Sequence, residues 1–294
     1  TACAGGCDRC DANGFVGTNM ALLLISVWLG ALYLRQWNSD GLALLYSSGF
    51  FLLSNAFAYV FWLHTEVLCI AALTACLYPA FTPSSLAVPA TRWRRMLARI
   101  WNESTRPAWS GAALVVAAYN KPMLALLGAP ALYLAFRGAR FRGAATWLAG
   151  ALAAGTLVCG ISIALTGHPS AYLGVERSGV RVVDSQSMPE LPIQRSEAYP
   201  EKIAQEIGPR NSWGWIFRLP EVDHRLPANL LYFFVGRHTG LFLYAPFALL
   251  SLLLFLAFSR RSGERWILLG ATGAVAFLFL TLIPFNWHGG GGFI

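Results

Sequence analysis

Apolar residues fill long runs of this chain, and polar residues are confined to short gaps between them. The run 15–34 is closed by Arg35. A helix needs about 20 apolar residues to cross a bilayer, so this run predicts a membrane span. The run 41–81 is apolar nearly throughout, with His64 and Glu66 in its middle. It divides into two crossings, 41–61 and 66–81, with His64, Thr65 and Glu66 in the turn between them. A carboxylate at the bilayer centre costs about 2.5–3.5 kcal/mol on insertion scales. In the first turn of a helix, near the interface, the helix dipole favours it instead.

The run 108–136 has basic residues on both flanks and is interrupted by Tyr119-Asn120-Lys121-Pro122. Matching flanks require an even number of crossings, and the run is too short for two full spans. The pattern predicts two short helices forming a re-entrant pair, with Asn120, Lys121 and Pro122 at the tip. Pro122 suits the first turn of the second helix. Non-helical backbone at membrane depth is tolerated only where it is buried in protein or lines a wet cavity. Residues 143–166 predict another span. The polar stretch 167–227 follows, with seven basic and eight acidic residues. Beyond it, Gly236-Arg237-His238-Thr239-Gly240 precedes a span over 241–258, which Arg260 and Arg261 close. The last predicted span is 266–284, and the chain ends in a glycine-rich segment.

Composition supports a polytopic membrane protein. The 294 residues are 56% hydrophobic and 12% charged, whereas a soluble domain carries roughly a quarter charged residues. The net charge of +8 invites a nucleic-acid reading, but no basic patch is interleaved with aromatics, and nucleic acid is excluded as a partner. Twelve of the arginines sit instead at 35, 92–106, 137–142 and 260–265, in short gaps between apolar runs. Under the positive-inside rule these gaps face the cytoplasm. Every other polar break then falls on the outer face: 1–14, His64 and Glu66, Lys121, 167–227, Arg237 and His238. The expected organisation is an outer stretch 1–14, membrane helices over 15–166, an outer loop 167–227, and further membrane helices with an outer end over 228–294. No signal peptide or initiator Met is present, and the chain reads as a fragment.

The polar groups have competing readings. His64 and Glu66 fit a base, a metal ligand or a substrate contact, or an interfacial histidine beside a capping glutamate. Lys121 fits a phosphate-binding point charge, or a side chain snorkelling to the interface. Arg237, flanked by glycines, suits a phosphate or carboxylate, or a lipid headgroup. Cys3, Cys7 and Cys10 match the C-x3-C-x2-C spacing of radical SAM clusters. Such a cluster needs a reducing compartment and a large soluble barrel, and this segment runs straight into a span. An outer disulfide with one thiol left over, or incidental cysteines, remain. The histidines show no metal-ligand spacing.

The segments "YVFWLHTEVL", "AAYNKPMLALLGAPALYL", "NLLYFFVGRHTGLFLYAPFALL" and "IPFNWHGGGGFI" occur in that order. Together they resemble the GT-C class of integral-membrane glycosyltransferases, in particular bacterial members related to protein mannosyltransferases and lipid A aminoarabinose transferases. The resemblance implies an all-α, polytopic helical bundle of the GT-C type, with a short re-entrant helix pair and one long extracytoplasmic loop. It implies a hexosyltransferase-type enzyme of the bacterial inner membrane. Such an enzyme takes a sugar from a polyprenyl-phosphate donor at the outer face and passes it to a lipid, glycan or protein acceptor. It also implies roles: Lys121 and Arg237 at the donor phosphate, Glu66 with His64 on the sugar or acceptor side, Glu66 as a catalytic carboxylate, and His238 as a further substrate-binding residue. Asp8 and Asp11 stand where the family carries acidic residues in its first outer loop, and a divalent metal ion sometimes assists there. The family's helix ahead of that loop has no counterpart in this sequence. The rival readings are a secondary transporter and a non-catalytic membrane relative of these enzymes.

Overall fold

The computed structural model describes residues 4–61, 65–82, 102, 104–169, 230–231, 233–235, 241–244, 246–258 and 263–282. These residues are almost entirely helical and contain no strand. In chain order the helices are α1 (Ala4–Leu34), α2 (Asp40–Leu52), α3 (Asn55–Ala58), α4 (Glu66–Phe81), α5 (Arg106–Asn120), α6 (Ala129–Thr166), α7 (Leu241–Tyr244), α8 (Pro246–Phe258) and α9 (Gly263–Leu282). Short 3-10 segments occupy Tyr59–Phe61 and Pro122–Gly128. Packing divides the chain into one unit of Thr1–Val158 with Glu221–Ile294 and another of Cys159–Pro220. The contacts below belong to the first. Among the described residues, three stretches are long and apolar enough to cross a membrane: Gly14–Leu34, Pro122–Thr166 and Gly263–Leu280.

The first expected span is present, but its helix begins earlier, at Ala4, and carries Asp8 and Asp11 on its backbone. The expected crossing over 41–61 is divided. α2 stops at Leu52, and Ser54 caps the next helix: its Oγ accepts from Ala56 N at 3.3 Å and donates to Phe51 O at 3.1 Å. A serine that satisfies an orphan amide in this way starts a new helix and does not continue the old one. α4 has the expected bounds, but its 16 residues extend about 24 Å, short of the ~30 Å hydrocarbon core.

The chain reverses twice where polar residues interrupt the apolar pattern. At Lys121 the backbone leaves the helix (φ −139°, ψ 94°), and Pro122 opens the 3-10 segment that leads into α6. This is the break expected in the run 108–136. Within α6 the second reversal lies at Ala139 (φ −135°, ψ 22°) and Arg140 (φ 51°, ψ −138°), so α6 is two helices joined at a sharp kink. The kink falls inside the arginine-rich gap 137–142 that the sequence reads as a loop. Gly143 faces the backbone oxygen of Ala135 so closely that a Cβ would collide with it.

Small residues let the helices approach. A Cβ on Gly111 would meet the carbonyl of Trp147, and one on Gly150 would meet the backbone of Ala108. α5 and the second half of α6 therefore touch through backbone, as membrane helices do where glycines line the seam. Beside this crossing, Ser110 Oγ donates to Cys76 O at 2.8 Å and accepts from Trp147 Nε1 at 3.3 Å. On the other side, Ser47 Oγ donates to Val27 O at 2.6 Å and ties α2 to α1. At the start of α5, Asn102 Oδ1 accepts from Ser104 N at 3.0 Å and Thr105 N at 2.9 Å. Asn102 thus forms a turn that leads into the helix.

These contacts give the unit two distinct ends. α4 and α5 are antiparallel: Glu66 meets Lys121 at one end, and Arg106 Nη1 donates to Thr82 O at 3.2 Å at the other. Cys69, Ala117, Leu124 and Val275 pack together toward the Glu66 end, while Cys76, Leu114, Ala131 and Trp147 pack toward the Arg106 end. Arg137 and Glu264 pair at 3.1 Å where α6 kinks and α9 begins. Three separate arginine-bearing gaps thus share one end, and the polar breaks at Glu66 and Lys121 share the other.

Candidate functional site

The site is built by two helix termini placed side by side. Glu66 is the first residue of α4, where the orphan amides and the helix dipole favour a negative charge. Lys121 is the residue after α5, where exposed carbonyls favour a positive one. Its backbone N donates to Ala117 O at 2.9 Å, and its carbonyl accepts from Leu124 N at 2.9 Å, so the reversal is hydrogen-bonded on both sides. Each charge therefore sits at the helix end that suits it, and the antiparallel packing brings the two together.

Lys121 Nζ donates to Glu66 Oε1 at 3.0 Å. The side chain of Glu66 is 3% exposed and that of Lys121 15%. An ion pair this deep is strongly coupled, because neither charge recovers its water if the other is removed. Lys121 is the more exposed member of the pair, and Glu66 the more enclosed. Cys69, one turn along α4, is buried and within electrostatic reach of both charges. Close by, the side chain of Asn19 on α1 is buried and donates to Val60 O at 3.3 Å, tying α1 to the 3-10 segment Tyr59–Phe61.

Two of the residues expected at the site, Glu66 and Lys121, are brought into direct contact across 55 positions of sequence. Their partnership was not anticipated. The sequence suggests a carboxylate and a phosphate-binding lysine acting separately, and the fold makes them one unit. His64, Arg237 and His238 lie outside the described residues, as do the side chains of Asp8 and Asp11. Among the described residues no group of three or more His, Cys, Asp or Glu is placed to hold a metal ion. Asn19 is the residue that sequence reasoning missed. Its signal is an amide inside the apolar run 15–34, which must find a partner within the protein because lipid offers none. Comparison with protein-family models, with curated proteins and with solved structures found no match.

Proposed function

We propose that this chain is a membrane glycosyltransferase of the GT-C type. On this reading it transfers a sugar from a polyprenyl-phosphate donor to a lipid, glycan or protein acceptor at the outer face of a bacterial inner membrane. The observation that carries the reading is the buried Glu66–Lys121 pair at a helix reversal, on the end opposite the arginines. An ionisable pair inside an apolar bundle is costly and is usually kept for function. The order of the sequence segments around it supplies the transferase class.

The proposed chemistry uses the pair in both its parts. The donor phosphate approaches the more exposed member, and Lys121 Nζ stabilises the charge that grows on it as the bond between sugar C1 and phosphate oxygen breaks. The acceptor oxygen forms the new bond to C1, and Glu66 takes its proton. Polyprenyl phosphate departs as the anion. His64, Arg237 and His238 complete the donor side in this proposal, and Asp8 and Asp11 stand by as further carboxylates. The divalent ion that the resemblance allows finds no cluster of ligands among the described residues.

The test is donor turnover by the full chain in proteoliposomes supplied with labelled polyprenyl-phosphate mannose or aminoarabinose. The expected result is release of polyprenyl phosphate, reduced about a hundredfold or more by Glu66→Gln when compared at equal folded fraction with wild type, as loss of a general base predicts. Lys121→Arg keeps the charge and is expected to raise KM more than it lowers kcat. No release with either donor, together with solute uptake by the same proteoliposomes, favours a transporter and ends the transferase reading.

A further inference from the structure

The kink in α6 presents side chains that sugar transfer does not use. The stretch 136–142 reads Phe-Arg-Gly-Ala-Arg-Phe-Arg, with three arginines and no acidic residue. Gly143 lies against the backbone oxygen of Ala135 at the base of the reversal. Across the reversal, the rings of Phe136 and Phe141 meet edge to face with centroids 5.4 Å apart. The two rings pack on each other and still face outward: Phe136 is 43% exposed and Phe141 81%. Arg140 and Arg142 are exposed beside them. From sequence, no basic patch interleaved with aromatics was expected; the kink makes a small one. An exposed apolar group rimmed by charge marks an interaction surface.

Charge and height identify the partner. Arg137 Nη1 donates to Glu264 Oε2 at 3.1 Å, so one cation of the tip is neutralised. The guanidinium groups of Arg140 and Arg142 have no ion pair among the described residues. The tip therefore keeps a net positive charge, which calls for an anion. Glu264 lies in the first turn of α9, and the ion pair holds the tip beside that turn. Two residues on, Trp266 is exposed. The stretch Gly263–Leu280 is long and apolar enough to cross a membrane. An exposed tryptophan at the end of such a helix marks the headgroup level of the bilayer. At that height the anions at hand are lipid phosphates, and the neighbours of an exposed phenylalanine are acyl chains.

We infer that the tip of α6, residues 136–142, is a binding surface for anionic phospholipid in the leaflet that it faces. Arg140 and Arg142 donate to phosphodiester oxygens, for which the forked guanidinium is well shaped. Phe141, backed by Phe136, enters the boundary between headgroups and acyl chains. Basic residues at this level gather anionic lipid from a mixed leaflet. The surface lies at the opposite end of the unit from Glu66 and Lys121, and it stands whether or not the chain transfers sugar.

Local lipid composition at the tip tests this. In the full chain with its six cysteines replaced, Gly138→Cys carries a nitrobenzoxadiazole fluorophore; the position is exposed and a Cβ there meets nothing. The protein is placed in phosphatidylcholine nanodiscs with 5-doxyl phosphatidylglycerol or 5-doxyl phosphatidylcholine at the same low mole fraction. Quenching by the phosphatidylglycerol probe is expected to exceed that by the phosphatidylcholine probe by about fivefold or more, the size set by one cation at an anionic surface. The same fluorophore at Leu152→Cys, exposed further along α6, should show little difference between the probes. Arg140→Gln with Arg142→Gln should remove the preference at the tip, and Arg35→Gln should leave it in place. Equal quenching by the two probes at the tip overturns the inference without need of any arginine variant. An equal preference at positions 138 and 152 also overturns it, because it means bulk enrichment around the protein. Quenching by aqueous iodide with none by either lipid would put the tip in water and assign it to a soluble partner instead.

Discussion

Glu66 and Lys121 show how a residue's environment changes what its mutation measures. Removing the lysine alone strands a carboxylate that is 3% exposed. Breaking a buried pair from one side costs about 3–5 kcal/mol, whereas replacing both members by uncharged groups costs far less. Lys121→Met is therefore expected to unfold at markedly lower denaturant than wild type. Glu66→Gln with Lys121→Met should recover most of the loss, giving a coupling well outside additivity. Equilibrium unfolding of the four proteins in detergent measures this. Additive losses would mean that the 3.0 Å contact contributes nothing. The same reasoning makes Lys121→Ala a poor probe of catalysis, because it confuses lost chemistry with lost structure. From sequence both residues stand out, since each is a charge inside an apolar run. Their contact does not, because it depends on α4 and α5 packing antiparallel with their ends level, which neither residue encodes alone.

At the level of elements, the sequence marks reversals better than helix lengths. Asn120-Lys121-Pro122 and the arginines at 137–142 both interrupt apolar runs, and both are reversals in the fold. The break at Ser54 was not expected. Serine is common inside membrane helices, and only its hydrogen bond to Ala56 N turns it into a cap. The kink in α6 carries a cost that the sequence conceals: Arg140 has φ 51°, a conformation glycine adopts freely and a side-chain-bearing residue does not. Such a residue stores about 1–3 kcal/mol. Arg140→Gly should relieve part of it and raise the thermal midpoint, by about 1 kcal/mol of stability after glycine's greater unfolded-state entropy is subtracted. Arg140→Ala, which keeps the strain, should not. A midpoint that falls with glycine would place the arginine's interactions above the backbone term.

For the whole molecule, the arrangement of ends is the property from which the functional reading grows. The sequence predicts it from arginine placement alone, and among the described residues the contacts agree with part of it: Arg106 with Thr82 and Arg137 with Glu264 at one end, Glu66 with Lys121 at the other. The positive-inside rule predicts that the arginine end faces the cytoplasm, and this is open to direct measurement. Thr65 and Gly138 are both exposed and lie at opposite ends, and a Cβ at Gly138 meets nothing. After replacement of the chain's six cysteines, single cysteines at these two positions should respond differently to a membrane-impermeant maleimide added to intact cells. Thr65→Cys should label at once and Gly138→Cys only after permeabilisation. The reverse pattern would keep the fold and turn it over, placing Lys121 in the cytoplasm and removing an outer-leaflet donor from consideration. Labelling of both from outside would contradict the two-ended packing itself, and with it the idea that the buried pair and the arginines serve different faces.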